Sequence, residues 1–435
     1  MRKPYSTYKD SGIKWIGNIP REWEIVKVKS GLKRVKLKAK QDNPIILSLT
    51  SRGVVKRDIS NNEGQIAASY RDYNQVKKGD LLLNPMDLVS NAFSSVSNID
   101  GVISQAYFNL RCRKGYYNKY YEYYFKLQYW GLTFFAHGRG VSFDNRWTLN
   151  SQTLMNYLIP FPSFFEQKQI ATFLDHKTQL IDKLIEKTKK KIEILKEKRT
   201  VLIKNCVTTG LNPNIEMKDS GVEWIGDIPN DWKYGKIYYY TELVTGSTPS
   251  RDNQEFWENG TINWMTSGEI NKRIIRNIDG KITEEGFHNS STSMLPVNTV
   301  MIGLNGQGKT KGTVGILKIE TTCNQSLCGF ICNEKYLHYK YLFYFLDSKY
   351  YDLRGLVGEG RREGISLRFL KSLHVSLPPI TQQIKISEYL DIKSQEIDKK
   401  VEIEKKKIKF LKEYHQSLIS EVVTGKIDVR DEVAV

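Results

Sequence analysis

Lys9-Asp10-Ser11-Gly12 leads into Trp15-Ile16-Gly17-Asn18-Ile19-Pro20 and then Trp23. The same run returns as Lys218-Asp219-Ser220-Gly221, Trp224-Ile225-Gly226-Asp227-Ile228-Pro229 and Trp232, so that Asp219 stands 209 positions after Asp10. Solenoid repeats recur every 20–50 residues or about that, so a period this long marks a duplicated domain. The likeness resumes further on. Pro160-Phe161-Pro162 precedes Glu166-Gln167-Lys168-Gln169-Ile170 and Phe173-Leu174-Asp175, as Pro378-Pro379 precedes Gln382-Gln383-Ile384-Lys385-Ile386 and Tyr389-Leu390-Asp391. Each half then runs through a long charged segment to Val207-Thr208-Thr209-Gly210 or Val422-Val423-Thr424-Gly425. One recognition unit written twice predicts a binder of something with two parts.

At 435 residues the chain has room for two domains plus helical spacers. A hydrophobic fraction of 40% supports folded cores and excludes a disordered chain. Lys and Arg number 66 against 48 Asp and Glu, a formal net charge of +18. That surplus favours partners bearing phosphates, either nucleic acid or an anionic membrane surface. No apolar run approaches the roughly 20 residues a spanning helix needs, and Met1-Arg2-Lys3-Pro4-Tyr5 lacks the apolar stretch of a signal peptide. The 5 cysteines, an odd number, fit a reducing compartment. A cytoplasmic protein with no membrane partner is expected.

Two long helices are predicted. From Glu166 to about Asn205 there is neither Pro nor Gly, and strong helix formers dominate. Leu174, Ile181, Thr188, Leu195 and Leu202 recur every seven residues, with Ile185 and Ile192 beside them. Leu390, Ile397, Glu404, Leu411 and Leu418 repeat the pattern, flanked by Val401 and Ile408. Such a stripe on a charged helix is a coiled-coil seam. The eight apolar stripe residues are the expected helix-pairing positions: Leu174, Ile181, Leu195, Leu202, Leu390, Ile397, Leu411 and Leu418. Roughly 40 residues make a rod about 60 Å long. Gly210 and Gly425 read as C-terminal stops.

Between box and helix, each body mixes short β-branched runs with turns. Ile45-Ile46-Leu47-Ser48-Leu49 and Leu81-Leu82-Leu83 predict strands, and Tyr120–Phe125 with its counterpart Tyr341–Phe345 predicts a short aromatic helix. Both bodies close on a Gly/Arg loop, His137–Arg146 in the first and Gly358–Arg368 in the second. Glycine lets a backbone approach a ligand, and arginine forks onto guanine edges or phosphates. Cys323, Cys328 and Cys332 near His338 lack the paired spacing of a zinc site, and alternation puts Cys328, Phe330 and Cys332 on one face of a core strand. No metal site is expected.

Two catalytic signatures fail in context. Gly303-Leu304-Asn305-Gly306-Gln307-Gly308-Lys309-Thr310 spells a phosphate loop, which would make the chain a nucleotidase. That motif needs a helix after the lysine, whereas Lys311-Gly312-Thr313-Val314-Gly315-Ile316-Leu317 predicts a strand. Lys309 and Lys311 are left as phosphate contacts on a turn. Asn84-Pro85-Met86-Asp87 approaches the N-P-P-aromatic box of amino-methyltransferases but lacks the second proline and the aromatic. The histidines form no triad or metal pair. No catalytic residue is assigned.

With these parts in order, the chain resembles the specificity subunit of a type I restriction–modification system. The resemblance rests on the Trp-Ile-Gly-x-Ile-Pro-x-x-Trp boxes, the Gln and Leu-Asp positions at each helix start, and the tandem globule–helix order. It implies an α+β protein: target-recognition domains at 1–158 and 211–375, each mixed α/β, joined by spacer helices at 159–210 and 376–435 packed as an antiparallel coiled coil. Each domain would read half of an asymmetric bipartite site in double-stranded DNA. The helices would set the gap and dock two methylation subunits, to which restriction subunits add. S-adenosylmethionine, ATP and Mg would belong to those partners, and this chain would hold no cofactor. The expected DNA contacts are Arg139, Asn145, Arg146, Lys309, Lys311, Arg361, Arg362 and Arg368. A specificity subunit of a type II enzyme, a phosphate-loop nucleotidase and a coiled-coil adaptor are the alternatives.

Overall fold

The computed structural model describes residues 3–432 except 41–43, 60–68, 87, 90–92, 141–146, 307 and 356–363. Four helices organise these residues: α1 (Asn118–Trp130), α2 (Phe164–Thr209), α3 (Tyr339–Ser348) and α4 (Ile380–Val423). The chain divides into two compact units, and the division runs through both long helices. One unit joins 1–189 to 406–435; the other is 190–405. The end of α4 and the tail behind it pack on the first body, and the start of α4 and the end of α2 on the second.

In the first unit, β1 (Leu32–Arg34), β2 (Leu81–Leu83), β3 (Ser94–Val96) and β4 (Phe108–Cys112) form a sheet in the order β1-β4-β2-β3, all antiparallel. Leu81–Leu83 is the strand expected, while the Ile45–Leu49 run contributes a strand at Leu47–Thr50. In the second unit, β5 (Thr241–Thr245), β6 (Ile274–Ile275), β7 (Val300–Gly303), β8 (Val314–Leu317) and β9 (Leu327–Cys332) run β5-β9-β7-β8-β6. The first four pair antiparallel in the same order as in the first unit, and β6 is an added parallel edge. Cys328, Phe330 and Cys332 face one core cluster, while Cys323, Leu327 and Ile331 face another. The cysteines are thus core residues, and burial pushes the thiols of Cys323 and Cys328 up to about 12.

The duplicated motifs prove to be joints. In each Trp box, a hairpin turns through a positive-φ glycine, Gly17 at 68° and Gly226 at 74°, and delivers Trp23 or Trp232 to the core. At the start of α2, the Gln167 amide accepts from Tyr117 N at 2.8 Å and donates to the Gly115 and Pro162 carbonyls at 3.1 and 2.9 Å. At the start of α4, Gln383 accepts from His338 N at 2.8 Å and donates to Tyr336 and Pro378, both at 2.9 Å. Each glutamine therefore ties the first turn of a long helix to the lead-in of the aromatic helix, α1 or α3. The Asp at the same motif fixes it about two turns later: Tyr123 donates to Asp175 and Tyr344 to Asp391, each at 2.7 Å.

The opposite helix ends are held as reciprocally. A helix leaves its last four carbonyls without helical partners. Tyr120 donates its hydroxyl to the Val423 carbonyl at 2.9 Å, and Tyr341 donates to Val207 at 3.1 Å. Gly425 and Gly210, at φ 73° and 77°, then reverse the chain against a tryptophan. A Cβ on Gly425 would lie 2.3 Å from Pro20 Cδ and 3.0 Å from the Trp23 ring, and one on Gly210 would lie 3.2 Å from Trp232. Only glycine meets both demands, the left-handed turn and the close approach. The first Trp box therefore seats the end of α4, and the second Trp box the end of α2.

Within each unit the long helices run antiparallel. In the first, Gln169 Nε2 donates to the Arg430 carbonyl at 2.9 Å, and further along the Asp182 carboxylate acts on His415. In the second, Lys191 pairs with Glu404 at 2.5 Å and Arg199 with Asp398 at 3.5 Å. Leu174, Ile181, Leu390, Ile397 and Leu418 are buried, as are Ile185, Ile192 and Val401. Leu195, Leu202 and Leu411 are half-buried. Two polar residues sit in the stripe, both buried: Thr188, whose hydroxyl folds back onto the Leu184 carbonyl at 2.7 Å, and Glu404.

Replacing Gln167 or Gln383 with Ala strands a buried amide N–H and two carbonyls, and each substitution should cost about 2–4 kcal/mol in denaturant unfolding. A loss below about 0.5 kcal/mol would show that the joints are ornamental. Glu166 yields a prediction in pH. Its carboxylate is buried under Tyr5, whose hydroxyl donates at 2.6 Å, and burial raises its proton affinity. The folded state thus binds the Glu166 proton more tightly than the unfolded state, so this residue's contribution to stability falls as pH rises through the folded value. The position equivalent to Glu166 is Gln382. Glu166→Gln should gain stability relative to wild type near pH 8 and lose that advantage as pH falls towards the ordinary glutamate value of about 4.3. Parallel thermal melts across that range measure it.

Candidate nucleic-acid interface

Antiparallel pairing fixes which loops share an end of each sheet. In the second unit, Thr245, Gly303, Val314 and Leu327 close one end, so the loops 246–253, 304–313 and 324–326 crowd together there. Leu304 N donates to the Ser326 carbonyl at 2.8 Å, and Ile365 N donates to Leu304 at 2.9 Å, which brings the tail of the second Gly/Arg loop to the same end. The other end, with Thr241 and Cys332, leads through Asn333 to α3 and the joints. One end is thus committed to the helices, and the other carries exposed polar loops.

The first unit repeats this arrangement. Asn84 N donates to Phe93 just as Gly303 N donates to Thr313, each at 2.9 Å, and Leu149 N donates to Pro85 as Ile365 N does to Leu304. The phosphate-loop look-alike and the Asn84-Pro85-Met86 run are therefore one structural loop, met twice, at the end of the central strand β2 or β7. The resemblance of each to a catalytic motif comes from what a tight loop needs, namely glycine, proline and a short amide side chain. After Gly303–Thr310 the chain enters β8, the strand expected from sequence.

The loop around Lys309 is braced. Arg354 Nη1 donates to the carbonyls of Gly308 and Lys311, both at 2.9 Å, and the Tyr350 hydroxyl to Lys309 at 3.1 Å. Lys309 itself is exposed. Lys311 is 9% exposed, because Gly312 N bonds back to Gly303 at 2.9 Å and folds that arm of the loop inward. Arg368 is exposed on the helix Leu367–Ser372, which Ser366 caps by accepting from Phe369 N at 3.2 Å. Asn145, Arg146, Arg361 and Arg362 lie outside the described residues.

Arg139 is exposed and bridges Thr148 through its backbone at 2.8 and 3.0 Å. It borders an open cavity of about 580 Å³ lined also by Trp15, His137, Gln152, Asn156 and Tyr157. Trp15 stacks on Tyr157 with centroids 5.8 Å apart, and His137 Nδ1 is engaged by the Thr133 carbonyl at 2.8 Å. Sequence reasoning placed Arg139 here but missed the polar floor, since Gln152 and Asn156 carry no motif. It also missed Asn305, on the same loop as Lys309, and Gln325, which accepts from Thr248 at 2.7 Å. Their only signal was a position next to a strand end.

A family model described as the type I restriction modification DNA specificity domain matches residues 229–413. The specificity subunit of the Escherichia coli type I enzyme EcoR124I/EcoR124II is 26% identical over 56% of this chain and 64% of its own length. The MjaVIII specificity subunit of Methanocaldococcus jannaschii is 24% identical over 98% of both chains. Among solved structures, a chain from a study of assembly and conformational transition in a type I R-M system superposes with a TM-score of 0.74 at 13% identity, covering 93% of this chain and 98% of that one. The HsdS subunit of Thermoanaerobacter tengcongensis gives 0.56 at 14% identity, over 94% and 98%. The fold is thus that of solved type I specificity subunits, and in sequence the chain is similar to the specificity subunits of type I restriction–modification systems, most directly over residues 229–413.

Proposed function

We propose that this chain supplies sequence specificity, without catalysis of its own, to a complex that methylates adenine in double-stranded DNA and cleaves unmodified sites. Each body reads one half of a bipartite asymmetric site through the loop end of its sheet. The observation that carries this reading is the pair of equivalent loop ends, built on equivalent strands but furnished with unrelated side chains: Pro85 and Arg139 in one, Leu304 and Lys309 in the other. A common scaffold with different loops is what reading two different half-sites requires. The surplus of basic residues supports the phosphate contacts that give salt-dependent affinity, while Arg, Asn and Gln side chains select bases in the major groove. The helices space the half-sites and dock two methylation subunits, to which restriction subunits add. S-adenosylmethionine, ATP and Mg are held by those partners in the cytoplasm.

Exchange of the segment from Trp23 to Leu158 for that of another family member tests modular reading. Methylome sequencing should show one half of the motif changed, with the other half and the gap retained. Change in both halves would contradict independent readout. Lys309→Ala separates DNA contact from nucleotide binding. As a phosphate contact it should weaken binding on cognate and random duplexes alike and lower the salt slope by about 1. Calorimetry should find no specific ATP binding by the purified chain, and micromolar ATP affinity abolished by this substitution would reinstate the nucleotidase.

A further inference from the structure

The loop Gly246–Asn253 leaves β5 pressed flat against the turn at Cys323: a Cβ on Gly246 would lie 1.6 Å from the Cys323 carbonyl oxygen. Two indoles then clamp it. Trp264 Nε1 donates to the Ser247 carbonyl at 3.0 Å and Trp257 Nε1 to Ser250 at 2.9 Å, and the two rings meet edge to face at 5.0 Å. The guanidinium of Arg251 lies in the corner they form, 4.2 Å from the Trp257 centroid and 5.4 Å from that of Trp264.

Most of the well-placed arginines of this chain are already engaged. Arg111 forks onto Asp80, Arg273 meets Asp347, Arg354 braces the Lys309 loop and Arg430 forks onto Asp428. Arg251 is exposed and, among the described residues, makes no hydrogen bond or ion pair. Two ring contacts restrain its head group while its N–H donors stay free, so ordering it on a ligand costs little further entropy. It also stands at the loop end of the second sheet, beside the Thr248–Gln325 hydrogen bond of 2.7 Å. The first unit repeats the device with other residues: Arg34, the last residue of β1, stacks 4.4 Å from the ring of Phe108, the first residue of β4.

We propose that Arg251 is a base-reading residue of the second recognition body, directed at the O6/N7 edge of a guanine in the second half-site. The inference rests on the DNA-specificity reading above. The neighbourhood chooses between base and phosphate. Asp252, Glu255 and Glu258 are exposed on the same stretch, and their negative charge disfavours a close phosphate while leaving a neutral base edge acceptable. A planar fork is the group that matches guanine, and the two indoles hold that fork at the loop end.

The test uses the full chain, with its motif first defined by methylome sequencing. Wild type, Arg251→Ala and Arg251→Lys are compared by competition binding against the cognate duplex, each single-base variant and random DNA. Arg251→Ala should bind the cognate roughly 10- to 100-fold more weakly and lose discrimination at one G·C pair of the second half-site. Random-duplex affinity, salt slope and preference in the first half-site should be unchanged. Arg251→Lys keeps the stem and charge, and it should fail to restore that discrimination because it lacks the planar fork. Equal weakening on cognate and random DNA would make Arg251 a phosphate contact and overturn the proposal. So would full selectivity in both variants, with or without a lower melting temperature, since that outcome reduces the arginine to a loop staple. If wild type itself shows no preference for its motif, the specificity reading fails and takes this assignment with it; selective wild type with equally selective variants removes only the role of Arg251.

Discussion

The tyrosine hydroxyls that close the ends of the long helices hold the rest of the structure in place. Tyr120 on the Val423 carbonyl and Tyr341 on Val207 each join a recognition body to the end of a helix that is remote in sequence. Unpaired buried carbonyls cost about 1–3 kcal/mol each, so these ends cannot simply be left dry. The glutamines at the opposite helix ends complete the arrangement, and each body is thereby fixed to the start of one long helix and the end of the other. This is why the first unit contains residues from both termini of the chain, where Asp428 N donates to Lys3 at 2.9 Å and Arg430 lies over Tyr5 at 4.8 Å.

That framework separates what must be repeated from what is free to differ. Trp23 with Trp232, Gln167 with Gln383, Asp175 with Asp391 and Gly425 with Gly210 recur because they perform identical tasks at joints. The loops at the far end of each sheet have no such task, so Pro85 can stand where Leu304 does. The duplication seen in the sequence is thus a map of the scaffold, and the sequence between its blocks is where the two bodies differ.

The joints were legible as repeats, and the helices as uninterrupted seven-residue stripes, because both signals are local. Gly210 and Gly425 announced the helix ends for the same reason. The partners of the joints were not legible: Tyr120 and Tyr341 lay within aromatic runs that read only as core, and nothing local tells that their hydroxyls serve carbonyls 303 and 134 residues away. Long-range pairing also hid the kinship of the Asn84 and Gly303 loops, which share no residue pattern. The burial of Lys311 was not legible either, because it follows from a backbone bond between Gly312 and Gly303 that turns this arm of the loop inward. Arg251 was passed over because its significance comes from two tryptophans brought together by the fold.

In the proposed function, one scaffold presents two independent readers. Methylome sequencing of a host expressing this chain with its neighbouring methylation subunit tests that most directly. The account predicts newly methylated adenines in a motif of two unlike half-sites separated by a gap of fixed length and free sequence. A single contiguous motif, or no new methylation from a properly assembled complex, would contradict it.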